Sequence, residues 1–397
     1  MKVLHVITAL NYGGAEAMLA KLVGQHGAHS SHPDSAVLSL LPLGRVGQEM
    51  AASGVAVETL GLNNIGCLPG AMARLTRIVR RYEPDLIQGW MYHGNIAAAW
   101  AVKAARRNGP MLWNIRHSLH DIRAEKVTSR LVIRLGAMLS RRPRATIYNA
   151  AASVRQHVAN GYAPEGAIVI PNGFDPHCFR PDEPEGNART RLRERFGIEP
   201  GPIIVAVIAR RHPMKDHATA IEAVGRARRM GHDVHLLLAG AGTDALPADL
   251  QGACNHWLPH DRLSLLGDRA DVAEWLPGCD IVTLSSAWGE SFPNILGEAM
   301  ACGVPCVATD VGDSRAIIGE SGVCVPPGDP AAIANAIALL SAMGEDGRRR
   351  KGELGRQRVV KEFSLTAVAA RYAELYERVL REPPSLRGHT GMPRCAG

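Results

Sequence analysis

Residues 281–308 read IVTLSSAWGESFPNILGEAMACGVPCVA. Ile281–Leu284 is a short, β-branched apolar run of the kind that forms a strand buried on both faces. Pro293 suits the first turn of a helix, where its missing N–H is no loss. Ser291 is a candidate cap, and Ile295, Leu296 and Ala299 supply an apolar helical face. Pro305–Ala308 is a second apolar run. Strand, helix and strand in that order make a parallel β-α-β unit. A strand that runs into a helix aims free N–H groups and the positive dipole end at the crevice beyond the strand ends, which is an anion site. Glu290, just before the helix, and Glu298, inside it, repel phosphate but accept hydrogen bonds from hydroxyls. The combination fits a ligand with an anionic middle and hydroxyl-rich ends, a nucleotide sugar. The plainer reading of the segment is a helix with two solvated glutamates.

The same alternation extends outward over the whole chain. Val3–Ala9, Ala36–Leu41, Asp85–Gly89, Leu112–Ile115, Ala145–Tyr148 and Ala167–Ile170 read as strands of a first unit. Ile203–Ala209, Val234–Ala239, Leu263–Leu266, Ile281–Leu284, Pro305–Ala308 and Gly322–Val325 read as strands of a second. Amphipathic stretches such as Ala71–Tyr82, Ala218–Arg229 and Pro330–Met343 separate them. The expected fold is α/β, with two doubly wound, Rossmann-like domains facing a central cleft. The turn-rich Pro171–Asp175 and the polar stretch Pro181–Gly186 place a linker at 174–187. The expected division is a first domain at 1–173, a second at 188–363, and a last helix at 364–382 with Ser364 as its N-cap. The Pro/Gly-rich stretch Pro383–Gly397 is expected to fray.

A chain of 397 residues with 46% apolar and 21% charged residues is globular, not disordered. No apolar run reaches the ~18 residues of a membrane span, and the first residues read as a strand, not a signal peptide. A cytoplasmic location is therefore expected. The eight cysteines form no C-x-x-C pair, and Cys302 and Cys306 read as small buried residues. Cys254, His256 and His260 are irregularly spaced and lack a fourth ligand for zinc. The charge is uneven: residues 1–180 hold 20 Lys and Arg against 10 Asp and Glu, and residues 181–397 hold 25 against 28. A basic first half implies an anionic partner there.

Other candidates sit where strands end. Arg210 and Lys215, after Ile203–Ala209, offer a donor fork and a mobile point charge for a diphosphate; Asp216 is a candidate cap for the next helix. Taken alone, both cations could equally be exposed loop residues. Gly13 and Gly14, between the first strand and the next helical pattern, permit close backbone approach to a ligand, although a plain turn reads as well. Gly240–Ala245 resembles a dinucleotide fingerprint but lies on the second β-α-β element, before Pro247. His93, after Asp85–Gly89, can hydrogen-bond a sugar hydroxyl or act as an acid, or simply pack. No P-loop, G-x-S-x-G or D-x-D sequence occurs, so no metal or other cofactor is expected.

Together these segments resemble glycosyltransferase family 4, retaining enzymes of the GT-B fold. The most specific part is the E-x7-E segment from Glu290 to Glu298, continuing through Ala299–Pro305. Ile170–Asp175, Arg210 with Lys215–His217, Leu266–Val272 and Val325–Asp329 support it. Phe174 departs from the commoner Ile or Val, which touches packing and not chemistry. The resemblance implies that Glu290 contacts the donor sugar and Glu298 the ribose. It implies that Arg210, Lys215 and backbone N–H groups around Phe292, Pro293 and Asn294 hold the diphosphate. Gly14 would approach the donor, His93 would face its sugar, and the backbone near Leu266 and Gly267 would bind the base. The last helix would cross back to the first domain. The implied reaction is metal-independent sugar transfer, with retention, from a nucleotide-diphosphate sugar to a saccharide acceptor. Two rivals share these features: a nucleotide-sugar epimerase on the same fold, and a non-catalytic nucleotide-sugar-binding protein.

Asp121–Arg144 carries seven Lys and Arg against Asp121 and Glu125. Arg123, Lys126, Arg130 and Arg134 share one helical face, beside an apolar stripe of Val127, Leu131, Leu135 and Met138. The expectation is that the stripe joins the core and the basic face is left for an anionic membrane surface. No aromatic platform accompanies the charges, so nucleic acid is not an expected partner. The implied acceptor is then a polyprenyl-linked or other lipid-linked saccharide.

Overall fold

The computed structural model describes residues 1–11, 13–25, 33–62, 68–104, 109–182 and 187–382. Seven parallel strands form the first sheet: β1 Lys2–Ile7, β2 Asp34–Ser39, β3 Ala56–Thr59, β4 Leu86–Trp90, β5 Met111–Ile115, β6 Ala145–Tyr148 and β7 Ala167–Val169. Their spatial order is β3-β2-β1-β4-β5-β6-β7. Six form the second: β8 Ile203–Ile208, β9 Val234–Ala239, β10 Leu263–Leu265, β11 Ile281–Leu284, β12 Cys306–Thr309 and β13 Val323–Val325, in the order β10-β9-β8-β11-β12-β13. Every pairing is parallel. Both sheets have helices on each face, so each carries two apolar layers. The central strands are continuous apolar runs for that reason. β3 has no counterpart among the expected strands because it is a short edge strand with no buried residue.

The chain crosses between the domains twice, and the crossings lie side by side. The Phe174 N–H donates to the Phe363 carbonyl at 2.8 Å, and the Leu365 N–H donates to the Phe174 carbonyl at 2.7 Å. Phe174, the first residue of the expected linker, is fully buried. Its ring stacks on Phe292 (centroids 6.1 Å apart) and fills the space at Gly297, where a Cβ would come within 2.1 Å of it. An aromatic residue fits here because the facing helix has no side chain. The stretch Glu183–Gly186 and the segment Pro383–Gly397 lie outside the described residues.

The second crossing leaves a π-helical turn, Val359–Phe363, and enters the helix Leu365–Arg381. The Ser364 hydroxyl accepts the Ala367 N–H at 3.2 Å, the expected cap. Leu365, Val368, Tyr372, Leu375, Tyr376 and Val379 fall on one face at helical spacing and enter the core of the first domain. Tyr372 stacks on Trp90 and the Tyr376 hydroxyl donates to Gln88, so the last helix completes the first sheet.

The expected packing of the apolar stripe is overturned. The helix Val127–Leu139 buries only Ile133 and Gly136. Val127, Leu131, Leu135 and Met138 are 68%, 61%, 43% and 80% exposed. Gly136 explains the orientation: a Cβ there would lie 2.3 Å from the Tyr162 hydroxyl, so only the glycine face seats closely on the domain.

Two core histidines make the fold acid-sensitive. His157 is held by Tyr92 Oη at 2.8 Å and the Ser153 carbonyl at 2.7 Å, and His235 by Ser264 Oγ at 2.8 Å. Burial pushes both imidazoles down to about 4. The folded chain therefore binds fewer protons than the unfolded chain between about pH 6.5 and 4, and stability present above that window is lost as pH falls through it. Each should cost on the order of 2 kcal/mol by pH 5. Thermal melts at pH 7 and pH 5 should show the loss, and His235→Gln, which cannot charge, should shrink it; an unchanged pH dependence in that variant removes His235 from the account.

Candidate active site

The site is built where the C-terminal ends of both sheets face each other. On the second domain, the loop after β8 closes in a 3-10 turn, Pro213–Lys215, capped by His212. Asp216 then takes φ +46° and caps the helix His217–Arg229 by accepting the Thr219 N–H at 3.2 Å. The loop after β11 is fastened onto it. Ser285 Oγ donates to the Lys215 carbonyl at 2.7 Å, and the Ala287 N–H to the Met214 carbonyl at 2.8 Å. These bonds bring Lys215 to Glu290. The two side chains form a salt bridge, 16% and 9% exposed, and Ser286 Oγ donates to the same carboxylate oxygen at 2.6 Å. Arg210 stays exposed, and among the described residues its guanidinium has no ion-pair partner.

β11 does not run directly into the next helix. Residues 285–293 intervene, with Gly289 at φ +79° against the Met214 side chain, and the helix spans Asn294–Ala301. Pro293 occupies the N-cap position and not the first turn. Ser291 does not cap that helix either. Its hydroxyl donates to Asn149 and meets Ser153 Oγ at 2.7 Å, both in the first domain. Phe292 is buried in the core, and because Pro293 has no N–H, only Phe292 and Asn294 of residues 292–294 can offer one. Glu298 lies one turn inside the helix and is half-buried; burial raises its carboxyl above the usual range, partly opposed by Lys21 of the first domain. Leu266 and Gly267 follow β10, at the same strand end of the second sheet as the loops after β8 and β11. The Gly267 carbonyl accepts the Gly240 N–H at 2.7 Å, and Gly240 packs on the Ala209 carbonyl.

On the first domain, Gly13 caps the helix Gly14–Gly24. A Cβ on Gly13 would meet Glu16 Oε2 at 2.3 Å, whereas one on Gly14 would point into open space. β4 passes without a turn into the helix Met91–Ala104. Met91 takes φ +60°, a conformation that costs a non-glycine residue on the order of 1 kcal/mol. His93 follows in the first helical turn, exposed at its edge, and desolvation lowers its imidazole below the ordinary value. Among the described residues no hydrogen bond joins His93 or Gly14 to the second domain.

The structure adds a link that the sequence reading lacks. Arg116, just past β5, donates to Asn172 Oδ1 at 3.0 Å, to the Pro171 carbonyl at 3.1 Å and to the Tyr372 hydroxyl at 2.8 Å. Asn172 in turn donates to Asn294 Oδ1 and the Phe292 carbonyl. One half-buried cation therefore ties the last helix, the first crossing and the start of the Asn294 helix together. Asn172 lies in the Ile170–Asp175 segment, whereas nothing local marks Arg116. Asp313 adds a second link by accepting the N–H groups of Ala151 and Ala152 at 2.6 and 2.9 Å. This caps a first-domain helix with a second-domain carboxylate.

Residues 13–177 match the family Glycosyltransferase Family 4, and residues 201–342 match Glycosyl transferases group 1. The chain is 29% identical over 224 residues to a D-inositol 3-phosphate glycosyltransferase of Xylanimonas cellulosilytica, covering 55% of this chain and 52% of that protein. It is 34% identical over 196 residues to an N-acetyl-alpha-D-glucosaminyl L-malate synthase of Bacillus anthracis, covering 49% and 50%. The chain thus spans about half the length of these curated relatives. Its fold matches that of HepE of Anabaena, solved in complex with UDP, with a TM-score of 0.81, 23% identity, and 95% and 100% of the two chains covered. The two family matches account for both domains, and the chain belongs to glycosyltransferase family 4, with the GT-B fold.

Proposed function

We propose that this protein transfers a sugar, with retention and without a divalent metal, from a nucleotide-diphosphate sugar to a lipid-linked saccharide acceptor at a cytoplasmic membrane face. The observation that carries the reading is the nearly buried Lys215–Glu290 pair between the loops after β8 and β11; exposed Arg210 shares the first loop, and the Asn294 helix follows the second. A sugar diphosphate needs positive charge at its non-bridging phosphate oxygens and acceptors at its hydroxyls, and this arrangement offers both within one loop pair. HepE, solved with UDP and with UDP-glucose, supports a nucleotide-sugar donor.

In this reading Glu298 accepts hydrogen bonds from the ribose, and the Leu266–Gly267 backbone meets the base. Gly14 gives the diphosphate room at the first domain. The neutral imidazole of His93 hydrogen-bonds the donor sugar. The C1–O bond breaks and its electron pair passes to the diphosphate, where Arg210, Lys215 and the helix dipole stabilise the charge. Glu290 positions the sugar while positive charge develops at C1. The acceptor oxygen bonds to C1 from the side the diphosphate leaves, and its proton passes to the departing phosphate. An epimerase would release donor product without an acceptor, and a binding protein would turn over nothing, so donor consumption with and without acceptor separates the three.

Arg210→Ala should lower kcat about a hundredfold, near 3 kcal/mol, with the melting temperature little changed. Lys215→Ala should lose as much turnover and some stability, because it strands Glu290. Near-normal rates in both would remove the diphosphate assignment.

Glu290→Gln should mainly slow transfer, whereas Glu298→Gln should mainly weaken nucleotide binding. Glu298's raised carboxyl charges only above the usual carboxylate range. Nucleotide affinity measured by calorimetry should therefore fall on mild acidification, and this dependence should flatten in Glu298→Gln. A wild-type affinity that stays constant through that range argues against Glu298 as the ribose ligand.

In this reading Arg210 and Lys215 take the place at the diphosphate that a metal would otherwise fill. Activity should survive excess chelator; complete loss restored by magnesium or manganese would show that the metal-free reading is wrong.

A further inference from the structure

On the helix Val127–Leu139 one apolar face is exposed, and among the described residues nothing covers it. Val127, Leu131, Leu135 and Met138 stand four, four and three residues apart, one continuous stripe about 17 Å long at 1.5 Å per residue. Scattered exposed apolar residues are ordinary, but four aligned on one helix face form a patch. At about 100° per residue, Lys126, Arg130 and Arg134 run along one flank of the stripe. Arg141 and Arg142 follow in the next turn, and they, Lys126 and Arg134 are exposed. Among the described residues Arg130 is held by the carbonyls of Glu125 and Arg123. No Asp or Glu occurs from 126 to 144. Long apolar side chains flanked by cations of a single sign match the boundary between acyl chains and anionic headgroups, where Lys and Arg stems snorkel upward.

We propose that this helix lies in the plane of an anionic lipid surface. Its four apolar side chains enter the acyl boundary and its cations stay in the headgroup layer. The helix follows β5 of the first domain, so the docking is made by that domain. Residues 1–180 carry the chain's positive excess, which turns the same domain toward that surface. Among the described residues no helix is long and apolar enough to cross a membrane, so the contact is peripheral. The proposal rests on this surface and not on the donor chemistry.

The test is sedimentation of the full chain with phosphatidylcholine vesicles, with and without phosphatidylglycerol, at low and high salt and with no substrate present. Binding should require phosphatidylglycerol and weaken in high salt. Arg134→Gln with Arg142→Gln should lose about fivefold in partitioning per charge. Leu131→Ser with Met138→Ser should lose about tenfold or more at either salt concentration. All four positions are exposed, so melting temperatures should match the parent, and donor turnover without vesicles should be unchanged. No binding to phosphatidylglycerol vesicles at low salt, or equal binding to phosphatidylcholine alone, overturns the proposal. Full binding by the serine variant overturns insertion. If sedimentation velocity instead shows a dimer that the serine variant breaks while vesicle binding persists, a second copy covers the stripe. Each of these failures leaves sugar transfer from the donor standing, because turnover is measured separately, and only loss of lipid binding removes the membrane face from the proposed function.

Discussion

Two backbone hydrogen bonds, Phe174 to Phe363 and Leu365 to Phe174, hold the two interdomain crossings together. Everything in the cleft depends on that pairing, because it sets where one row of strand ends stands relative to the other. Phe174 works as a wedge. Its ring is seated against Gly297, inside the helix that carries Glu298, and against Phe292, just before that helix. The pivot and the donor side are thus one packed unit, and a larger residue at 297 would push on both.

The electrostatics of the cleft follow from the same packing. The loops after β8 and β11 bond to each other through Ser285 and Ala287, and this crosslink brings an ammonium and a carboxylate into a dry site. Such a pair is costly to break from either side, since the remaining charge is left buried and alone. Arg116 is the counterpart on the first domain. Its guanidinium is satisfied by neutral oxygens and the Trp90 ring, so it can join three segments without drawing a carboxylate into the cleft.

The sequence carries the parts of this arrangement that are local. β6, β9 and β11 can be read to the residue because buried parallel strands are unbroken apolar runs. The E-x7-E segment is equally legible, because its chemistry and its helix occupy the same dozen residues. β3 is not, since an exposed edge strand has no apolar run. The bridges from Asp313 to the Ala151 helix and from Arg116 to Tyr372 join residues 162 and 256 positions apart, and no spacing in a single chain marks them. The Val127–Met138 stripe shows a different limit. Periodicity says which residues share a helix face; which way that face turns was decided by Gly136 and Tyr162.

The helix Leu365–Arg381 also bears on the order in which the protein can assemble. The first sheet leaves the ribosome early, but the face that Tyr372 and Tyr376 cover stays open until just over 200 further residues have been made. At translation rates of about 5–20 residues per second, that delay is roughly 10–40 s. During it the second domain has time to fold, while the first holds an apolar groove exposed to whatever is nearby. Chaperone demand should therefore concentrate on the half of the chain that is synthesised first.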